Sequence, residues 1–327
     1  MKKVKMYISF LLFLLFASCQ VKAECSSKAK DIPVYKVPSM HGISIVHKLL
    51  RRQIFYLAAL TVIAIAGIGH CYAQKKIDEA YLKCQYGYTY VEDSLSGRTA
   101  KDWLVLLIGT NVSKCYSYYS MQVDSIFASP NSDRIIHQQI NAAINSKTEW
   151  PHKRMKAYVY KNYPQGKMTV TDGLLLQDYI YEDTLYAQKW VIQDSSKLIL
   201  GHDCQKAVCH YRGHCWAVWF ATDIPITDGP WKLCGLPGLI MEATTEDNRH
   251  AFKLLGMEKV SKEPIVFSKT YVGNNKFEKT TFEKFLKEQY IFLFGDFQSQ
   301  TQLLGIDIPK TENVGSKKGK YKPLECW

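Results

Sequence analysis

The chain has 327 residues, 42 Lys and Arg against 30 Asp and Glu, and a formal net charge of +12. That length supports one large or two small domains with a substantial core. Residues 1–73 carry ten of the basic and two of the acidic residues; subtracting these from 42 and 30 leaves 32 and 28, a net charge of +4, for 74–327. The basic excess therefore belongs mainly to the N-terminal segment, which removes the electrostatic case for nucleic-acid binding.

That segment holds two export patterns. Lys2, Lys3 and Lys5 precede an apolar run over 7–17 and then Ser18-Cys19, the order of a secretory signal with a lipoprotein-like end, although Phe16 fits a lipobox poorly. After Met40 the order repeats: Lys48, Arg51 and Arg52, an apolar run over 54–69, then Cys71-Tyr72-Ala73, a small-x-small cleavage pattern ending before Gln74. The second run is shorter than the roughly 18 apolar residues of a spanning helix. Two signals in one chain imply a start at Met40, with 1–39 an upstream misreading, 40–73 a signal peptide and 74–327 a single domain. The product is expected in the periplasm or cell envelope, membrane-associated if an N-terminal apolar segment is retained.

From Tyr86 onward, β-prone runs alternate with turn signals at a spacing that predicts an antiparallel meander. Tyr86, Tyr88 and Tyr90 share a face of the first run; later runs cover 103–108, 113–123, 156–161, 167–171, 177–182, 190–193, 197–211, 215–221, 239–244 and 252–260. Two segments have helical periodicity. In 133–145, Ile135, Ile136, Ile140, Ala143 and Ile144 share one face behind a Ser132 or Asp133 cap, and Thr280-Thr281-Phe282-Glu283 has capping-box order before Phe285, Leu286, Tyr290 and Phe292. The predicted fold is mainly β: an antiparallel curved sheet or open barrel covering one or two helices.

Between two runs lies Gly235-Leu236-Pro237-Gly238-Leu239-Ile240. Its glycines permit positive φ or close backbone approach, and Pro237 pushes Leu236 toward extended conformations, so the hexamer reads as a bend feeding a strand. This stretch resembles the signature of the GLPGLI family, envelope proteins of Bacteroidetes with no established general activity. Tyr321-Lys322-Pro323-Leu324-Glu325 resembles that family's usual ending, so the resemblance spans most of 74–327. It implies an exported envelope protein and leaves its activity open.

The cluster His202, Cys204, Cys209, His210, His214 and Cys215 has the residue types of a zinc or copper site. An Arg212-Gly213 hairpin turn sets His210 opposite Cys215, making these two candidate metal ligands. Cys204, six positions before His210, stands roughly 20 Å from it along a strand, so the hairpin alone closes no four-ligand shell. Seven cysteines remain after residue 73, an odd number whose spacing dictates no disulfide connectivity. No G-x-S-x-G, H-E-x-x-H, Walker A or G-x-G-x-x-G pattern occurs. Trp216, Trp219 and Trp231 are candidates for the rim of an apolar cleft, or for core. The expected function is non-catalytic binding of an apolar or lipid-like ligand, a peptide or an envelope protein, without a cofactor. Metal handling through His and Cys is the alternative, and an enzyme built on a thiol such as Cys234 the third reading.

Overall fold

Alternation of apolar and polar residues builds the sheet, and the computed structural model describes residues 75–149, 152–271, 275–303, 305 and 322–326. The export patterns and residues 306–321 lie outside these residues. The strands are β1 Lys76–Asp93, β2 Arg98–Gly109, β3 Ser113–Ser117, β4 Tyr158–Lys161, β5 Lys167–Leu174, β6 Gln177–Thr184, β7 Val191–Ile199, β8 His202–Tyr211, β9 His214–Ala221, β10 Ile240–Thr245, β11 His250–Val266 and β12 Glu278–Lys279. They form one mixed sheet in the order β12-β6-β5-β4-β3-β2-β1-β11-β10-β9-β8-β7, antiparallel except for the β12–β6 pair. Two meanders, β2 to β6 and β7 to β11, are thus joined through β1.

The topology forces this sheet to curl. β6 ends at Thr184 and β7 begins at Val191, yet the two strands stand ten places apart in the order. Laid flat they would be roughly 48 Å apart, whereas the connection spans at most about 25 Å. The curled sheet remains open, since β12 and β7 are its unpaired ends. Leu82, Cys84, Tyr86 and Tyr88 of β1 and Leu104 and Leu106 of β2 enter a large inner core with Trp216, Val218 and Phe220 of β9. Val105 and Leu107 face the other way, into a smaller outer core with Tyr116, Tyr158, Tyr160 and Ile265.

Four helices occur among the described residues, rather than the one or two expected: α1 Tyr118–Phe127, α2 Ser132–Ser146, α3 Phe282–Phe294 and α4 Phe297–Leu303. The run 113–123 splits because the Ser117 hydroxyl accepts the Ser120 N–H at 3.2 Å and caps α1, and β-branched residues are too sparse beyond it to hold a strand. The run 197–211 is two strands, turned by Leu200 and Gly201 at φ 50° and 85°. The N-cap of α2 is Asn131, without a side-chain bond, instead of Ser132 or Asp133. This helix packs on α1 and buries only Ala143, leaving Ile144 exposed, so its apolar face does not cover the sheet. Thr281, one residue later than the capping-box order indicates, caps α3 by accepting the Lys284 N–H at 3.2 Å. Phe285 and Leu286 seat α3 on the sheet, with the Phe285 ring stacked 5.3 Å from that of Tyr181. None of the described helices is long and apolar enough to cross a membrane.

Candidate binding site

The β9–β10 connection runs inside the curl as a buried plug. Trp231, Lys232, Leu233, Cys234, Leu236 and Leu239 are all at most 1% exposed. Strand β1 and the β6–β7 connection hold it: the Tyr86 hydroxyl donates to the Ile240 carbonyl at 2.8 Å, the Trp190 indole to that of Cys234 at 2.8 Å, and the Gln188 amide to that of Lys232 at 2.9 Å. The buried Lys161 ammonium of β4 donates to Asp228 at 2.5 Å and to the carbonyls of Gly229 and Leu233 at 2.6 and 3.0 Å. Burial alone would lower the Lys161 pKa, but Asp228 beside it reverses the sign and raises it.

Gly235–Ile240 is the far end of this plug, and its two glycines serve different ends. Gly235 sits at φ +92°, the left-handed region. Gly238 does not; it is needed because a β-carbon there would stand 1.9 Å from the Ala221 carbonyl oxygen. Close approach, rather than positive φ, is therefore what excludes a side chain at Gly238. Gly235 and Pro237 are exposed, while Leu236, Leu239 and Ile240 point into the core.

Trp231 is held at φ 52°, unusual for an aromatic residue. It forms one wall of a cavity of about 820 Å³ between the inner sheet face and a cover made of α3, α4 and residues 323–325. Tyr88 of β1, Leu174 of β5 and Leu293 of α3 give the lining an apolar part; Arg154, Asp172 and Glu325 give it charge. At one end the fully buried Lys232 ammonium meets Asp183 at 2.9 Å, Tyr181 at 3.3 Å and the Glu325 carboxylate, while Arg212 pairs with the other Asp183 oxygen. Burial would raise the Asp183 pKa, but Lys232 and Arg212 outweigh it and hold the carboxyl below the usual range. Asp172 has no such cation in contact. Burial pushes it up to about 7 against the Gly173 N–H it accepts, and Glu325 adds to the upward push. The cavity thus joins an aromatic and aliphatic wall to a polar end where one carboxyl is readily protonated.

Of the three tryptophans expected at a cleft, only Trp231 lines the cavity. Trp216 lies behind it, ring centroids 6.0 Å apart, in the core, and Trp219 alternates to the opposite face of β9 beneath Lys197, whose ammonium is 4.5 Å from its ring. His210 and Cys215 are directly paired across the hairpin, with Arg212 and Gly213 at φ 52° and 76°, and Cys215 Sγ lies 3.0 Å from His210 Nε2. Cys204 pairs instead with Ala221 and Lys197, and no group of three metal-ligating side chains occurs among the described residues. All seven cysteines from Cys84 to Cys326 are free thiols. Burial pushes Cys84 and Cys209 up to about 12 and Cys115 and Cys204 to about 11, and raises Cys234 as well, the opposite of nucleophile activation. Lys161, Lys232, Asp172 and Glu325 escaped the sequence reading. The lysine that ends the β-prone run 156–161 was the one available signal.

No curated protein matches this chain. Among solved structures it is similar to PNGF-II in space groups C2 and P21, at 12% and 11% identity and TM-scores of 0.42 and 0.43. Each alignment covers 65% of this chain but only 33% and 34% of the other, so the chain spans about a third of the length of the PNGF-II chains it matches. A domain assigned as an outer membrane lipoprotein-sorting protein, from Vibrio parahaemolyticus, aligns over 56% of this chain and 88% of its own at 5% identity and a TM-score of 0.20. Residues 120–283, from α1 through the plug to the start of α3, match the family described as N-glycanase peptide, N-terminal domain. The chain belongs to that family.

Proposed function

We propose that residues 74–327 form a non-catalytic binding module of the cell envelope, whose cavity takes an apolar ligand, a peptide or a segment of a partner protein. The observation that carries this reading is the cavity of about 820 Å³, a size suited to ligand capture, whose aromatic and aliphatic wall stands beside charged and amide side chains such as Arg98, Arg154, Asp172 and Glu325. The five buried thiols, Cys84, Cys115, Cys204, Cys209 and Cys234, support it, because burial favours their protonated form. The Gly235–Ile240 hexamer, with its resemblance to the GLPGLI signature, serves this module as the plug that closes the curl below the cavity. Export follows from the pattern over 40–73, with Gln74 as the first residue of the exported protein; N-terminal sequencing that returned a lipidated Cys19 would refute both the cleavage and the start at Met40.

The binding reading is tested with 1-anilinonaphthalene-8-sulfonate, an apolar probe carrying one negative charge. Saturable fluorescence enhancement is expected on the purified chain, weakened by about tenfold in Leu293→Trp, which fills the cavity from the α3 side. A wild-type chain that is folded by circular dichroism yet gives no saturable signal removes the cavity as a ligand site.

A further inference from the structure

The described tail residues Lys322–Cys326 cross the mouth of the cavity in a seat that reads them almost entirely through their backbone. The His250 ring donates from Nε2 to the Lys322 carbonyl at 3.0 Å, and the His214 ring from Nε2 to the Pro323 carbonyl at 2.8 Å. A carbonyl only accepts, so both rings carry their proton on Nε2, and the Tyr88 hydroxyl donates to His250 Nδ1 at 2.9 Å. At the other end the Cys326 N–H donates to the Arg212 carbonyl at 3.1 Å. The hairpin tip is shaped for this passage, since a β-carbon at Gly213 would stand 2.7 Å from that of Cys326.

Three side chains are read in addition, the first being Lys322, whose ammonium donates to Asp247 at 3.2 Å. Leu324 packs on the inner core, and Glu325 supplies the second carboxylate of the fully buried Lys232. Without Glu325, the group Lys232, Arg212 and Asp183 keeps two cations against one anion in a low-dielectric setting, which demands a carboxylate from some source. The tail itself is only half-buried throughout, lying on the seat rather than enclosed by it.

We infer that Arg212, His214, Lys232 and His250 form a peptide-binding seat in which the tail is the resident occupant, and that this seat accepts, from a partner protein, a short segment with the tail's chemistry: proline, an apolar residue, then glutamate. Backbone reading plus one buried cation is the economy of extended-peptide recognition, in which main-chain hydrogen bonds hold the ligand and a few pockets select it. The inference rests on the binding-module reading and narrows its ligand to an acidic peptide. The tail then acts as a competitor held at high effective concentration, so that a partner segment engages by displacing it.

The test is fluorescence anisotropy on the exported full chain with a labelled peptide of sequence Tyr-Lys-Pro-Leu-Glu-Cys-Trp, and with its counterpart carrying Gln in place of Glu. Glu325→Gln weakens the resident tail and is expected to bind the Glu peptide about tenfold more tightly than wild type does, and about tenfold more tightly than it binds the Gln peptide. Lys232→Met is expected to remove the discrimination between the two peptides. Leu324→Ser loosens the tail without touching the ion pair, and so provides the same comparison if Glu325→Gln fails to fold. Equal affinity for the two peptides, or no binding by any variant that retains a cooperative melting transition, overturns the inference. A tail that exchanges between two copies, seen as a dimer that Glu325→Gln dissolves, overturns the assignment to a foreign partner. If the naphthalene probe still binds when the peptide does not, the cavity reading survives and the tail is a structural strap.

Discussion

Two buried lysines, Lys161 and Lys232, differ in one respect of their surroundings. Lys161 is closed in by Asp228 and two carbonyls, all from the plug. Lys232 divides its ammonium between Asp183, fixed on β6, and Glu325, carried by the tail. The first arrangement is complete once the sheet has curled. The second is completed by a segment that joins the sheet through the backbone contacts of two histidines and a hairpin tip, the packing of Leu324 and the Lys322–Asp247 pair. Burial of a charge makes a partner obligatory in both places, but at Lys232 part of that partnership is detachable.

Lys161→Met should break the permanent site most severely, since it leaves Asp228 with no cation and two carbonyls without their donor. A loss of about 3–5 kcal/mol is expected, read by chemical denaturation. Gly238→Val attacks the same plug by overpacking, where the β-carbon meets the Ala221 carbonyl; about 3 kcal/mol is expected, and a variant that melts with wild type but loses its ligand would make the hexamer a binding element instead. Glu325→Gln should cost less, about 2 kcal/mol, because Lys232 keeps Asp183 and Tyr181. A cost equal to that of Lys161→Met would erase the distinction between the two sites.

Acid should loosen the tail before the plug. His250 in the fold takes a proton only near pH 4, against 6.5 for a free imidazole, because burial and then His214 oppose its charge. Between these values the unfolded chain binds more protons, so this group's contribution falls as pH drops from about 6.5 to 4. Asp172 acts with the opposite sign, since its folded carboxyl titrates near 7 and the unfolded one at 3.8, so its contribution falls as pH rises between them. His250→Gln, which keeps a donor for Lys322 and an acceptor for Tyr88, isolates the histidine term: it should flatten the acid loss in a series of thermal melts. The smallest effect is expected at the hairpin, where His210→Ala combined with Cys215→Ala should change stability by within about 0.5 kcal/mol. Stoichiometric zinc or copper in wild type, lost in this double variant by mass spectrometry, would reinstate metal handling.

Features set by neighbouring residues were readable from the chain. Arg212-Gly213 turns a hairpin because its two-residue loop needs positive φ, and that register alone pairs His210 with Cys215. The helix over 132–146 follows from its spacing of isoleucines, although the same pattern misplaced its apolar face, which meets α1 and solvent. Leu200-Gly201 went unrecognised because leucine is a poor marker for a left-handed turn position. The cavity was not readable at all: Tyr88, Asp172, Trp231 and Glu325 come from four distant parts of the chain, and only the curl brings them together. Lys232 gives no local sign of burial, since its two carboxylates lie 49 and 93 positions away in sequence.

The place of β1 between β2 and β11 has a consequence for the order in which the protein is made. Its pairing with β2 closes a turn of four residues, whereas its pairing with β11 joins Tyr90 to His250 and Lys76 to Val266. A chain emerging from its N-terminus therefore forms the β1–β2 hairpin early and leaves the other edge of β1, eighteen residues long, without a partner until β11 arrives. For most of the transit the first strand is an open template for any passing strand. Fast delivery of the C-terminal half, or a holding factor that covers the first strand, should raise the yield of folded protein more than any change within the finished fold.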